Sequence, residues 1–188
     1  MEGIVYGARL NLIDNMLVQG ETYDFRRVAF AHTYDHPRAN IFHLYSDYYV
    51  LIGTDNMINE PSRTVFIPEC PRTFRQFEDV YQQPQNTFVD VIGLIVHVTK
   101  IYDRNGRRPA RRVVIINERG NVLTIYVTYK LLVQHLSAYQ KASSKFLTLA
   151  ALHVKKDGTI RGATTTEYNQ LVFSPVCNQT WDLQRNIL

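Results

Sequence analysis

The eleven-residue run FVDVIGLIVHV, residues 88–98, constrains this chain more than any other stretch. It is a mostly apolar, strand-forming segment with Gly93 in its middle. An isolated glycine inside a strand marks a bulge or sharp bend, which lets one strand serve two edges of a small barrel. The residues after it narrow the choice. A strongly basic loop, TKIYDRNGRRPA, leads to RRVVIINERGNVLTIYV, two β-rich runs around a polar turn at residues 118–120. Leu131, Leu132, His135, Leu136 and Tyr139 then mark one helical face. Residues 145–154 and 159–166 form a second predicted hairpin around Lys156-Asp157-Gly158, an Asp-Gly turn signal.

Strand, strand, strand, helix, strand, strand is the order of the OB-fold, a five-stranded, partly open Greek-key barrel. The expectation is a mainly β chain. The segment after the barrel, residues 168–188, carries Pro175 and then Trp181, Leu183 and Ile187, a packing-helix pattern.

The upstream half reads differently. Residues 4–10 form a short strand pattern, and Leu12, Ile13, Met16 and Leu17 fall at helical spacing before Gly20. Two β-rich runs come next, residues 22–31 and 41–52, with a Pro37 loop between them. Phe74, Phe77, Val80 and Tyr81 then suit a short amphipathic linker helix, and QQPQN at 82–86 suits a domain boundary. The predicted organisation is therefore an N-terminal module at 1–72, a linker at 73–86 and a C-terminal barrel at 87–188.

Charge separates the halves as well. Residues 1–80 hold seven arginines and eleven acids (7 − 11 = −4), whereas 81–188 hold fourteen Lys+Arg and six acids (14 − 6 = +8). A polyanion would be held by the second half. No run approaches the ~18–20 apolar residues of a membrane helix, and MEGIVYGARL lacks the pattern of a secretory signal. Cys70 and Cys177 read as two reduced, buried thiols of an intracellular protein, with a single distant disulfide as the alternative.

The candidate binding residues cluster. Lys100, Arg104, Arg107, Arg108, Arg111 and Arg112 place six cations in thirteen residues, with Tyr102 among them. On an OB-fold this is the loop between the first two strands, where cations neutralise phosphates. Tyr102 and Tyr126 are candidate base-stacking residues. Lys155, Lys156 and Arg161 flank the last hairpin and read as the far wall of a groove. The alternative for the basic loop is a solvated hairpin tip. Tyr45, Tyr48 and Tyr49 alternate as core and surface tyrosines, and Asp35, His36 and His43 lack a fourth ligand for a metal. No Gly-rich phosphate loop, nucleophile elbow or spaced carboxylate pair is present, so neither an enzyme nor a cofactor is expected.

FVDVIGLIVHV, RRVVIINERGNVLTIYV and TYDFRRVAF followed by HPRANIFHLYSDYYVLIG together resemble the large subunit of replication protein A, the eukaryotic single-stranded-DNA binder, most closely its divergent plant-type members. The resemblance implies tandem OB modules, the first lacking its first strand. It also implies a nuclear protein that binds single-stranded DNA (or RNA) in replication, repair or recombination. The family's Thr-Leu-Trp-Gly segment stands here as Thr124-Ile125-Tyr126-Val127, so Tyr126 replaces the stacking tryptophan. The family's second stacking aromatic belongs in the last hairpin, where Lys155-Lys156-Asp157-Gly158 has none. The rival reading is an OB-type module for protein interaction or self-association through the incomplete first barrel.

Overall fold

In the computed structural model, residues 3–5, 10–18, 21–35, 48–53, 56–63, 73–104, 108–128, 130–166 and 169–187 are described. The chain divides into two compact units, Met1–Ile67 and Pro68–Leu188.

In the first unit, strand β1 (Gly3–Val5) precedes helix α1 (Leu10–Met16), then come β2 (Asp24–Arg26) and β3 (Ala29–His32). A 3-10 turn at Thr33–Asp35 comes next, and β4 (Tyr48–Ile52) and β5 (Met57–Asn59) complete the set. The β-rich run at 22–31 is two strands, because Arg27 adopts a left-handed backbone (φ 57°) between them. The Asn56 side chain holds that kink, donating to the Arg27 carbonyl while its amide oxygen accepts from Gly53 N–H. β4 is the centre of a three-stranded sheet, antiparallel to β3 and parallel to β1, while β2 pairs with β5. Ile4, Ile13, Tyr49 and Ile52 form its buried core, and Tyr48 faces outward. Tyr45, His36, His43 and Cys70 lie outside the described residues.

The second unit is a closed barrel. Strand β6 (Phe88–Val98) pairs with β8 (Arg108–Ile116), β8 with β9 (Val122–Val127), β9 with β11 (Gly162–Thr164), β11 with β10 (Thr148–Lys156), and β10 with β6 again. The ring closes through the parallel β9–β11 ladder. Five strands in this order make an OB-fold. Strand, helix and antiparallel pair, with the last strand parallel to the first, also describes β1, α1, β3 and β4. The described part of the first unit thus repeats the second half of this topology.

Hydrophobic periodicity dictates the barrel wall. Val113, Ile115, Leu123, Ile125 and Val127 are wholly buried, and their strand neighbours face out. Each such side chain contributes about 1.5–3 kcal/mol by leaving water. β6 instead is buried along most of its length. Val89, Val91 and Ile95 face the interior, whereas Ile92 joins Phe74, Ala150, Val172 and Leu183 in a smaller core outside. Strand β12 (Gln170–Phe173) and helix α5 (Asn178–Ile187) supply that outer layer. Cys177, at the start of α5, is a half-buried free thiol.

Gly93 is required by close approach. A Cβ there would sit 2.9 Å from the Ile116 carbonyl oxygen and 3.0 Å from both Ile115 Cβ and Phe77 Cζ. Phe77 belongs to helix α2 (Phe77–Gln82), whose Phe77 and Val80 are 1% and 0% exposed inside the barrel core. The predicted linker helix is therefore part of the second unit, and QQPQN is a connection within it. Glu78 ties α2 to the β8–β9 turn, accepting from Asn121 Nδ2 at 2.7 Å, Asn117 Nδ2 at 3.4 Å and Arg119 Nη1 at 3.5 Å. The other side of the core is packed by helices α3 (Leu131–Gln134) and α4 (Leu136–Lys145). Leu131, Leu132 and Tyr139 face inward, and the Tyr139 hydroxyl donates to the Leu131 carbonyl at 2.9 Å.

β10 changes neighbours part-way. Leu149–Leu152 pair with β12, and Lys155 and Lys156 with β11. Between them the register shifts, and His153 adopts φ 63°. Buried side chains replace the interrupted ladder: Asp90 Oδ1 accepts from His153 N–H at 2.7 Å, and Asn169 Nδ2 donates to the His153 carbonyl.

Candidate nucleic-acid interface

The pleat sorts the predicted cations. β8 continues outward from the barrel wall, so Arg111 shares the inward face with Val113 and Ile115, and Arg112 points out. Arg111 lays its guanidinium over the Tyr139 ring, 4.6 Å from the centroid, and its Nε is buried. Burial pushes the Tyr139 phenol up, and the Arg111 charge partly offsets this. Arg111 therefore packs its stem and Nε against the end of the core, and stays half-buried.

The last hairpin splits its two lysines in the same way. Lys156 pairs with the wholly buried Ala163 and is itself 3% exposed. Its ammonium donates to the carbonyls of Asp157 (3.1 Å) and Thr159. The expectation that Lys156 walls a groove is corrected: its charge is satisfied inside its own turn. Lys155 faces the other way and pairs with Thr164.

Outward-facing partners line up across the sheet. Arg112 lies opposite Tyr126, Tyr126 beside Thr164, and Thr164 opposite Lys155. One row on the outer wall therefore runs cation, aromatic, hydroxyl, cation. Arg112 is exposed, and Tyr126 and Lys155 are half-buried. The row is braced at its Arg112 end and in its middle. Arg112 N–H donates to Thr99 Oγ1 at 2.9 Å, Thr99 N–H donates to the Arg112 carbonyl at 2.9 Å, and Thr164 Oγ1 donates to the Tyr126 carbonyl at 3.2 Å. A second row, Val114, Thr124 and Gly162, gives a floor of small side chains beside it.

The predicted basic loop is partly a ladder. Strand β7 (Tyr102–Arg104) pairs with the start of β8, Tyr102 opposite Ala110 and Arg104 opposite Arg108. The hairpin extends β8 past the barrel. Lys100 is exposed and Tyr102 is 37% exposed. Arg107 lies outside the described residues.

Arg161 sits where the β10–β11 turn meets the outer wall. Its carbonyl accepts from Thr124 N–H at 2.9 Å, and its guanidinium lies over the Tyr81 ring at 5.5 Å. Tyr81, in α2, donates its hydroxyl to the Val122 carbonyl at 2.5 Å, and burial pushes its phenol up. Sequence reasoning missed Tyr81 because it lies in the stretch read as a linker. The only signal was its place on the apolar face with Phe77 and Val80.

Chemically, the face offers two groups for phosphates, aromatic surface for bases and a hydroxyl between them. Among the described residues no cluster of His, Cys, Asp and Glu has metal-holding geometry.

Residues 75–164 match a family model described as a domain of unknown function, DUF8448. That span begins just before α2 and ends at β11, so it covers the barrel together with its helix. No curated protein matches the sequence. Among solved structures, the chain is similar to one of a replication protein A heterotrimer bound to single-stranded DNA, with TM-score 0.61 and 14% identity over 97% of this chain. The match spans 42% of the length of that protein. The Ifi202 HINa domain, solved in complex with 20-base-pair double-stranded DNA, aligns with TM-score 0.50 and 7% identity, over 93% of this chain and 78% of that one. At these identities the likeness is one of fold, and the fold is OB.

Proposed function

We propose that this protein is a non-enzymatic, single-stranded-nucleic-acid-binding protein of the replication protein A type, acting on DNA in replication, repair or recombination in the nucleus. The observation that carries this reading is the outer row of Arg112, Tyr126, Thr164 and Lys155. A wall of this kind stacks exposed bases on its aromatic and neutralises the backbone with its cations. A duplex hides its base faces in the stack, whereas an unpaired strand presents them. The β7–β8 hairpin, preceded by the exposed Lys100, extends the same strand, and its sequence carries Tyr102, Arg104 and Arg108. The structural neighbours support the reading at the level of fold.

The test is fluorescence anisotropy of a labelled oligo(dT) of about 20 nucleotides, longer than the ~4–16 that one OB-fold occupies. Affinity should fall linearly with the logarithm of salt, by ~0.7 in slope for each phosphate neutralised. No binding at low salt, or equal preference for duplex of the same length, sinks the proposal.

One observation favours a second reading, association with another chain through the first unit. Phe30, Val18, Leu10 and Leu12 are 53–60% exposed, apolar surface that a partner chain could cover. Size-exclusion mass with and without oligo(dT) separates the two: a stable oligomer indifferent to DNA favours association, and a monomer that shifts with DNA favours binding.

A further inference from the structure

We propose that Arg161 and Tyr81 form a second base-stacking platform on the outer wall, with the guanidinium plane as the contact surface and the tyrosine ring as its backing. The inference rests on the nucleic-acid reading above and assigns that site a residue pair from two distant segments.

The position is fixed by the barrel. Thr124 N–H and the Val122 carbonyl point from the same edge of β9, the edge that β11 lines. Below the start of β11 that edge is completed by Arg161, through its carbonyl to Thr124, and by Tyr81, through its hydroxyl to Val122. The pair thus continues the sheet where the strand ends. Arg161 precedes Thr164 by three residues, which at about 3.3 Å per residue puts the platform ~10 Å from the Tyr126 row. The small-residue floor of Val114, Thr124 and Gly162 lies between them.

The turn carrying Arg161 is held rigid. Asp157 Oδ1 accepts from both the N–H and the hydroxyl of Thr159, at 2.8 and 2.6 Å. The buried Lys156 ammonium bridges the Asp157 and Thr159 carbonyls. Gly162 has no room for a side chain, because Thr159 Oγ1 and Asp157 Oδ1 occupy the space a Cβ would need. Arg161 is exposed, and the half-buried Tyr81 ring lies on one side of its guanidinium, 5.5 Å from centroid to Cζ. Bases stack on arginine planes as they do on aromatic rings, and a planar, delocalised cation does this where a lysine ammonium does not. The competing account is that Arg161 serves only to fasten α2 to the barrel, or meets a phosphate as a point charge.

Arg161→Lys distinguishes these accounts, because it keeps the charge and removes the plane. The full chain and this variant are titrated with oligo(dT) and with an abasic deoxyribose-phosphate oligomer of the same length, and both proteins are melted. The expected result is a loss of roughly fivefold or more in oligo(dT) affinity, with unchanged abasic affinity, salt slope and melting temperature. Tyr81→Leu should give the same base-dependent loss wherever it folds, while Tyr81→Phe keeps the ring and should bind oligo(dT) as the parent does. Parent-like oligo(dT) binding by Arg161→Lys overturns the platform. If Arg112→Ala weakens binding in the same series, the nucleic-acid reading survives that result. A parent protein that binds neither oligomer overturns both.

Discussion

Arg111 and Arg112 are adjacent in sequence and, on this structure, should fail in opposite ways when replaced by alanine. Arg112 is exposed at the head of the Tyr126 row. On the proposed nucleic-acid reading its loss would remove one phosphate contact, so the slope of log affinity against log salt should shrink by ~0.7, and melting should be unaffected. Arg111 lies over the buried Tyr139 ring at 4.6 Å, with its stem in the barrel end. A partly desolvated cation–π contact is worth about 1–2 kcal/mol, and the aliphatic stem adds packing. For a unit of this size that corresponds to a melting point lower by roughly 4–10 °C. Its salt slope should match the parent. Anisotropy titrations at four salt concentrations and a thermal melt of each variant measure both quantities. An Arg111→Ala protein that flattens the slope while melting like the parent would refute the inward placement, since Arg111 would then face the ligand.

Two further outcomes are set by the geometry. Gly93→Ala drives a methyl into the Ile116 carbonyl and the Phe77 ring, and should destabilise the second unit by about 1–3 kcal/mol, read by denaturant titration. His135 packs beside Tyr139 and Phe173, and burial lowers its pKa. Below about pH 6.5 the unfolded chain therefore binds a proton that the folded one resists. Stability should be full above that pH and decline as pH falls through it. His135→Gln should reduce the decline, as read by melts from pH 7 to 5.

The barrel was legible because its wall alternates cleanly. Val113, Ile115, Leu123, Ile125 and Val127 announce one face, and counting back two residues from Val113 already places Arg111 inside. Charge density alone singled out the basic loop, and it says nothing about which cations the alternation turns inward. Lys156 was harder. Leu149 and Ala151 face the core, so an unbroken strand would bury Lys155. The shift at His153 moves the phase by one, burying Val154 and then Lys156. Nothing local in LHVKK encodes that shift, because the groups that stabilise it, Asp90 and Asn169, are far away in sequence. α2 shows a different limit. Its apolar stripe was plain at Phe74, Phe77, Val80 and Tyr81, but a stripe does not name the surface it covers. Reading it as a linker hid both the packing of Phe77 against Gly93 and the pairing of Tyr81 with Arg161.

That placement of α2 sets where the protein can be cut. Its residues precede the first strand of the ring, yet Phe77 and Val80 lie inside it and Glu78 secures the β8–β9 turn. A fragment that starts at Phe88 carries every barrel strand and leaves its floor behind. The smallest piece that keeps both cores of the second unit whole begins ahead of Phe74 and includes the helix.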